Sequence, residues 1–369
     1  MNLEAIFRSL RVGPLTATNR LMRSATHESA ADIDGMPHPV PMKRIYGDLA
    51  RGGIGLIVTG HTFIHPHGRA SRNQCGMTGT AHARAWAEIL AAVRADTHAP
   101  ILCQLTYAGR QGFFAGPTPA PNDKRQKLPP PGTSVNDFAP RQLEHVATTF
   151  AEAAALAAEA GFDGVQLHMA HGYLLSECLS AHTNRRDDDW GGPDRARRRR
   201  LPLSTVDAVR AAVGPDRLVA VKLNGSDYLP PLGVEPEEAA ETAALLAEHG
   251  VELIEVSAGM AEAGMKTAQP VQGPDDEAYL LPAAVEVAKR TTVAVASVGG
   301  YRSATPMLNA LSEGIDMIAL CRPLVREPEF PRNLQHNAVH TARCVSCNKC
   351  FGLVRGALRC PLDHPEPIE

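Results

Sequence analysis

The chain has 369 residues, 44% of them hydrophobic and 21% charged, with a formal net charge of −3. That is enough apolar material for a sizeable core, in one large domain or two ordinary ones, and no basic excess points to nucleic acid. No apolar run reaches the roughly 18 residues of a membrane span, and the opening MNLEAIFRSL is too short and polar for a signal peptide, so a cytoplasmic protein is expected.

In chain order, Leu3 to Leu15 reads as a lead-in, a hairpin closing one end of the fold. A repeating pattern follows. Leu21–Arg23 is a strand, with a helix near Met42–Arg51. Ile54–Thr59 precedes a helix near Ala81–Asp96. Ile101–Leu105 precedes a Pro-rich loop and a helix near Arg141–Ala160. Val165–His168 precedes a helix near Arg195–Val213. Leu218–Leu223 leads to Glu235–His249, Leu253–Ser257 to Pro282–Arg290, Val293–Ser297 to Ala304–Glu313, and Met317–Leu320 is the last strand. Most of these strands are continuously apolar, as buried parallel strands are. Eight βα units predict a closed (β/α)₈ TIM barrel over residues 1–330. A doubly wound open sheet is the other arrangement with this alternation, but no GxGxxG follows the first strand. Residues 331–369 form a C-terminal extension. Two loops are long: Phe113–Pro140, expected over the top face or a neighbouring surface, and Gly259–Tyr279, expected to line a substrate pocket.

In a barrel the functional side chains sit where strands end. Those positions hold Ser24, Ala25, Thr26 and His27 after the first strand, then Gly60 and His61. Gln104 follows on the third, and His168, His171 and Tyr173 on the fourth. Lys222 and Asn224 close the fifth, Ser257 the sixth. Gly299-Gly300 and Cys321-Arg322 follow the last two. Glycines and an arginine after strands seven and eight suit a phosphate; ordinary turn glycines and a surface arginine are the plainer alternative. Gln104 can both donate and accept, as a pyrimidine edge requires. Lys222 can stabilise an anion, or act as a Schiff-base amine. His168 and His171 are a structural pair, a metal site, or two donors to a carbonyl oxygen that gains negative charge. Tyr173 can then supply a proton. His61, His65 and His67 read as loop histidines.

Several motifs now resemble one family. Asn19-Arg20, GGIGLIVTG at 52–60, CQLTYAGR at 103–110, GFDGVQLHMAHGYLL at 161–175, NRRDDDWGGPDRARRR at 184–199 and DMIALCRPLVREP at 316–328 are similar to those of the old yellow enzymes. That resemblance implies a barrel holding FMN and using NAD(P)H to reduce the C=C bond of a small α,β-unsaturated carbonyl compound. It implies flavin contacts from Ala25, Thr26, Gly60, Gln104 and Lys222. Phosphate contacts would come from Gly299, Gly300, Cys321 and Arg322. His168 and His171 would bind the substrate carbonyl, Tyr173 would donate the proton, and His27 would line the substrate pocket or tune the flavin. A homo-oligomer is compatible with it; a nucleic-acid or membrane partner is not expected. The chain departs from the pattern at Tyr107, where a His is common, at Lys222, where an Arg is usual, and at Cys321, where a Gly is usual. Lysine keeps the charge of arginine but loses its planar fork.

The extension reads Cys344-x2-Cys347-x2-Cys350-x9-Cys360. Such spacing suits zinc or an iron–sulfur cluster, with free thiols as the alternative. The larger dienoyl-CoA reductase and trimethylamine dehydrogenase relatives carry a similar group on a [4Fe-4S] cluster. Two other functions stay open on the residues: a flavin dehydrogenase or demethylase coupled to such a cluster, and a flavin-free lyase using Lys222.

Overall fold

The computed structural model describes residues 2–95, 97–113, 128–352 and 357–364. Helix α1 (Glu4–Phe7) leads into an antiparallel hairpin, β1 (Leu10–Val12) and β2 (Leu15–Ala17). The parallel strands are β3 (Leu21–Arg23), β4 (Leu56–Val58), a two-residue β5 (Thr62–Phe63), β6 (Ile101–Thr106), β7 (Gly164–Met169), β8 (Leu218–Asn224), β9 (Leu253–Ser257), β10 (Ala294–Ser297) and β11 (Met317–Leu320). β11 pairs with β3, and β4 pairs with β6, so eight of these strands close into a barrel, with β5 beside the end of β6.

The surrounding helices are α2 (Pro39–Arg51), α3 (Thr80–Arg94), α4 (Pro140–Glu159), the short α5 (Leu174–Leu179), α6 (Arg195–Val213), α7 (Pro236–Glu248), α8 (Leu281–Arg290) and α9 (Ala304–Ser312). Their ends follow local chemistry. Proline opens α2, α4 and α7, where a missing N–H leaves no acceptor short. The Asp194 carboxylate caps α6 by accepting from the Ala196 and Arg197 amides. Gly214 ends that helix at φ 71°, a left-handed turn that favours glycine.

Strand parity sorts the interior into two halves. Met22, Leu56, Val58, Leu102, Leu218, Ala220, Leu253, Ala296, Met317 and Ala319 form one buried apolar cluster. Val12 and Ala17 of the hairpin belong to the same cluster, so the hairpin plugs that end of the barrel, as expected. Alternate residues such as Ile57, Ile101, Val165, Val221 and Ile254 pack outward against the helices in the main core. Truncating one of these to Ala would cost about 2–5 kcal/mol, the removed contacts plus the cavity left. Further along the inward parity, at the carboxyl ends, the apolar series stops. Gln104, Gln166, His168, Lys222 and Glu255 take over, all buried.

Beyond β11 come α10 (Arg322–Arg326), α11 (Phe330–Gln335) and α12 (Lys349–Gly352). The extension is tied to the barrel by specific bonds. Arg302 donates to the Cys344 carbonyl, the Leu358 amide donates to the Glu28 carbonyl, and Arg326 pairs with Asp363.

Candidate active site

At the carboxyl ends of the strands lies a cavity of about 670 Å³, within the usual range for a small-molecule site. Ala25, Thr26, Gln104, Lys222, Gly300, Cys321 and Arg322 line it, with His27, His168, His171 and Tyr173. Eleven of the flavin and substrate positions that the resemblance implies therefore meet around one space, all but Gly60 and Gly299. Gly60 and Gly299 are outside that lining. A Cβ on Gly60 would strike the Glu28 carboxylate at 2.1 Å, and the Gly60 amide donates to Glu28. Gly299 and Gly300 both have positive φ, 147° and 78°, so the turn after β10 depends on glycine at two successive positions.

One wall is a continuous polar network. Lys222 Nζ donates to Glu255 Oε1 at 2.8 Å and to Ser24 Oγ at 2.7 Å. Gln166 Nε2 donates to Glu255 Oε2 at 2.9 Å, and Gln104 Nε2 donates to Gln166 Oε1 at 2.7 Å. The Glu255 side chain is 0% exposed. The ion pair ties up the Lys222 amine, which argues against its use as a Schiff-base nucleophile.

The other group is aromatic. The His168 ring lies 4.6 Å from that of Tyr173 and 5.1 Å from that of His171, and His61 lies 5.7 Å from Tyr173. His61 is thus part of the cavity, because the turn after β4 brings its ring against that of Tyr173. His65 and His67 do belong to a separate pair, 4.9 Å apart. Burial holds the His168 and His61 imidazoles well below their usual pKa, with further lowering of His168 by His171, His61 and Lys222. Burial, then the Lys222 charge, lowers His171 to about 3. Burial raises the Tyr173 hydroxyl to about 12. Near pH 7 these are neutral rings and a protonated phenol. The Ala170 amide donates to His168 Nδ1, so the proton of that ring sits on Nε2.

The four cysteines of the extension surround a second cavity of only about 20 Å³. Cys344 and Cys360 are buried, Cys350 is half-buried and Cys347 is exposed. All four line that cavity. Among the described residues, however, no three His, Cys, Asp or Glu side chains stand in an arrangement ready for a metal. Cys350 and Arg322 line both cavities, and Phe351 and Leu358 also reach the larger one. Thr267, Ala268 and Tyr279 of the Gly259–Tyr279 loop line the larger cavity as well. In the Phe113–Pro140 loop, residues 114–127 lie outside the described residues. Leu128, Val135 and Phe138 pack into the core instead of lining the cavity.

Comparison with known proteins gives the family. The NADH:flavin oxidoreductase / NADH oxidase family profile matches residues 5–340. The chain belongs to that family. An NADH oxidase from Thermoanaerobacter brockii is 30% identical over 360 residues, covering 94% of this chain and 53% of the relative. The chain therefore spans about half the length of that protein. An old yellow enzyme homologue from Zymomonas mobilis superposes with a TM-score of 0.73 at 26% identity, covering 92% and 94% of the two chains. A 2-naphthoyl-CoA reductase in complex with 2-naphthoyl-CoA has the same fold, with a TM-score of 0.82 at 22% identity over 95% of this chain and 55% of the other.

For a flavin oxidoreductase of the old yellow enzyme type, the residues present fit FMN. The cavity has the volume, Gln104 and Lys222 offer an amide and a cation to a pyrimidine edge, and Gly300 and Arg322 offer a phosphate site. Arg322 is already anchored, its Nη1 donating to the Gln269 carbonyl at 2.9 Å and to Asn348 Oδ1 at 2.7 Å.

Residue patterns alone missed Glu255, Gln166 and the entry of the extension into the cavity. Glu255 did leave a signal. It is a lone carboxylate in the apolar strand LIEVS, and a charge in a buried strand needs a partner.

Proposed function

We propose that this protein is an FMN-dependent NAD(P)H oxidoreductase that reduces the C=C bond of small α,β-unsaturated carbonyl compounds. The observation that carries it is the juxtaposition of the His168 ring with those of His171, at 5.1 Å, and Tyr173, at 4.6 Å, in a cavity with the volume for FMN. The chemistry that FMN supplies when bound is hydride transfer, in from reduced nicotinamide and out to the β-carbon of the substrate. His168, through its Nε2–H, and His171 hold the carbonyl oxygen and stabilise the negative charge that grows on it. Such donors accelerate only because they bind that oxygen more strongly in the transition state. Tyr173 delivers the proton to the α-carbon. Lys222 and Gln104 would hold the pyrimidine edge of FMN, and Arg322 with Gly300 its phosphate.

The test is anaerobic and in two steps: NAD(P)H reduces the FMN-loaded protein, then a cyclic enone reoxidises it with formation of the saturated ketone. A reduced protein that no enone reoxidises would overturn the reading. The cysteines of the extension are read as ligands of a [4Fe-4S] cluster or zinc, since four soft thiols share one cavity. A second reading is a dehydrogenase passing electrons outward through such a cluster. It draws on Cys350 lining both cavities. Flavin that NAD(P)H fails to bleach, in a protein with cluster absorbance, would favour it.

A further inference from the structure

We propose that Glu255 is a positioning residue that sets both the net charge and the hydrogen-bond polarity of the wall formed by Lys222 and Gln104. The inference rests on the reading that this cavity takes FMN. Glu255 does not line the cavity; it sits behind the wall, fully buried. Each of its oxygens has a defined task. Oε1 accepts from Lys222 at 2.8 Å and from Ser24 at 2.5 Å, so the cation facing the cavity is matched by an anion directly behind it. Oε2 accepts from Gln166 at 2.9 Å. A carboxylate only accepts, so Gln166 must turn its NH₂ toward Glu255 and its Oε1 toward Gln104. Gln104 must then donate to Gln166, at 2.7 Å, which fixes the sense of its own amide. One carboxylate thus decides which end of Gln104 is committed to the protein and leaves its carbonyl oxygen as the acceptor for a ligand N–H.

The charge argument gives a sign. Lys222 alone would present an uncompensated cation to the pyrimidine edge and favour the anionic, reduced cofactor. With Glu255 behind it, the pair sums to zero and that preference is muted. Because the pair is buried, solvent does little to screen it.

The test measures the equilibrium potential of FMN bound to wild type, Glu255→Gln and the double variant Lys222→Met/Glu255→Gln, each against a reference dye. Glu255→Gln is expected to raise the ratio of affinities for two-electron-reduced over oxidised FMN at least tenfold, a positive shift of about 30 mV for a two-electron couple. The double variant, with neither charge, is expected within threefold of wild type. A merely structural role for Glu255 would weaken FMN binding without moving this ratio. Glu255→Gln that holds FMN with a ratio within threefold of wild type overturns the inference. If that variant does not fold, a double variant tenfold below wild type overturns it equally, since Lys222 would then act uncompensated. Wild-type protein that binds no FMN defeats the flavin reading itself. Bound FMN with an unmoved ratio defeats only the role of Glu255.

Discussion

The Nε2 of His171 lies 2.7 Å from the Ser257 hydroxyl, which projects from the last residue of β9. His171 itself stands at φ 62°, a left-handed conformation uncommon for histidine, and the Asn224 side chain accepts from its amide at 3.1 Å. Two neighbouring strand ends therefore hold this ring from its backbone and its edge. Ser257→Ala should leave FMN binding unchanged and weaken phenolate-like ligands about fivefold, the worth of one hydrogen bond of ~1 kcal/mol. Titration of the flavin absorbance with such a ligand measures it.

Tyr173→Phe keeps the ring against His168 and His61 and removes only the hydroxyl. Flavin reduction by NAD(P)H should be nearly unaffected, while reoxidation by an enone should slow by roughly 10²–10⁴-fold. Because burial raises this hydroxyl to about 12, the wild-type proton-delivery step should show no loss of the acid between pH 6 and 9. Stopped-flow traces of the two half-reactions separate the effects; equal slowing of both would mean a disturbed flavin site instead.

Stability should fall in acid. The folded-state pKa values of His61, His168 and His171 lie below the unfolded value near 6.5, so the unfolded chain binds more protons at low pH. Stability from these rings is fully present above 6.5 and is lost as pH falls, for His171 down to about 3. His171 alone should account for about 2 kcal/mol between pH 7 and pH 5. His171→Asn suits the left-handed backbone and should flatten the profile by that amount. Urea midpoints at the two pH values test this.

Arg322→Ala should weaken FMN by roughly 10- to 100-fold, the loss of a charge-assisted bond. It should also loosen the extension, because Arg322 holds Asn348 and the Ser346 carbonyl. Faster limited proteolysis within residues 340–364 would show the second effect. Weaker FMN binding with an unchanged cleavage rate would confine Arg322 to the cavity.

Protein purified without oxygen should carry iron and sulfide, or zinc, bound at the extension. Cys344→Ser and Cys360→Ser should abolish that metal while leaving FMN in place. Metal analysis and visible spectra decide, and wild type with no more metal than the two variants would leave the thiols free.

The eight strands and the residues at their ends were legible in order, to within a few residues, because each depends on local spacing. Mostly apolar runs of three to seven residues, with Gly and Pro at the helix ends, state a βα repeat directly. Strand-end placement alone collects Gln104, Lys222, His168, His171, Tyr173 and Arg322. What the spacing could not state is which inward residue faces which across the barrel. Glu255 bonds Ser24, 231 positions away, and Gln166, 89 positions away. Those pairings exist only through the register β7–β8–β9 and the closure of β11 on β3. The same holds for His61 against Tyr173 and for Cys350 at the cavity wall. Periodicity and end signals are properties of neighbours in the chain, whereas the charge and hydrogen-bond sense of the site belong to neighbours in space, which only the closed barrel supplies.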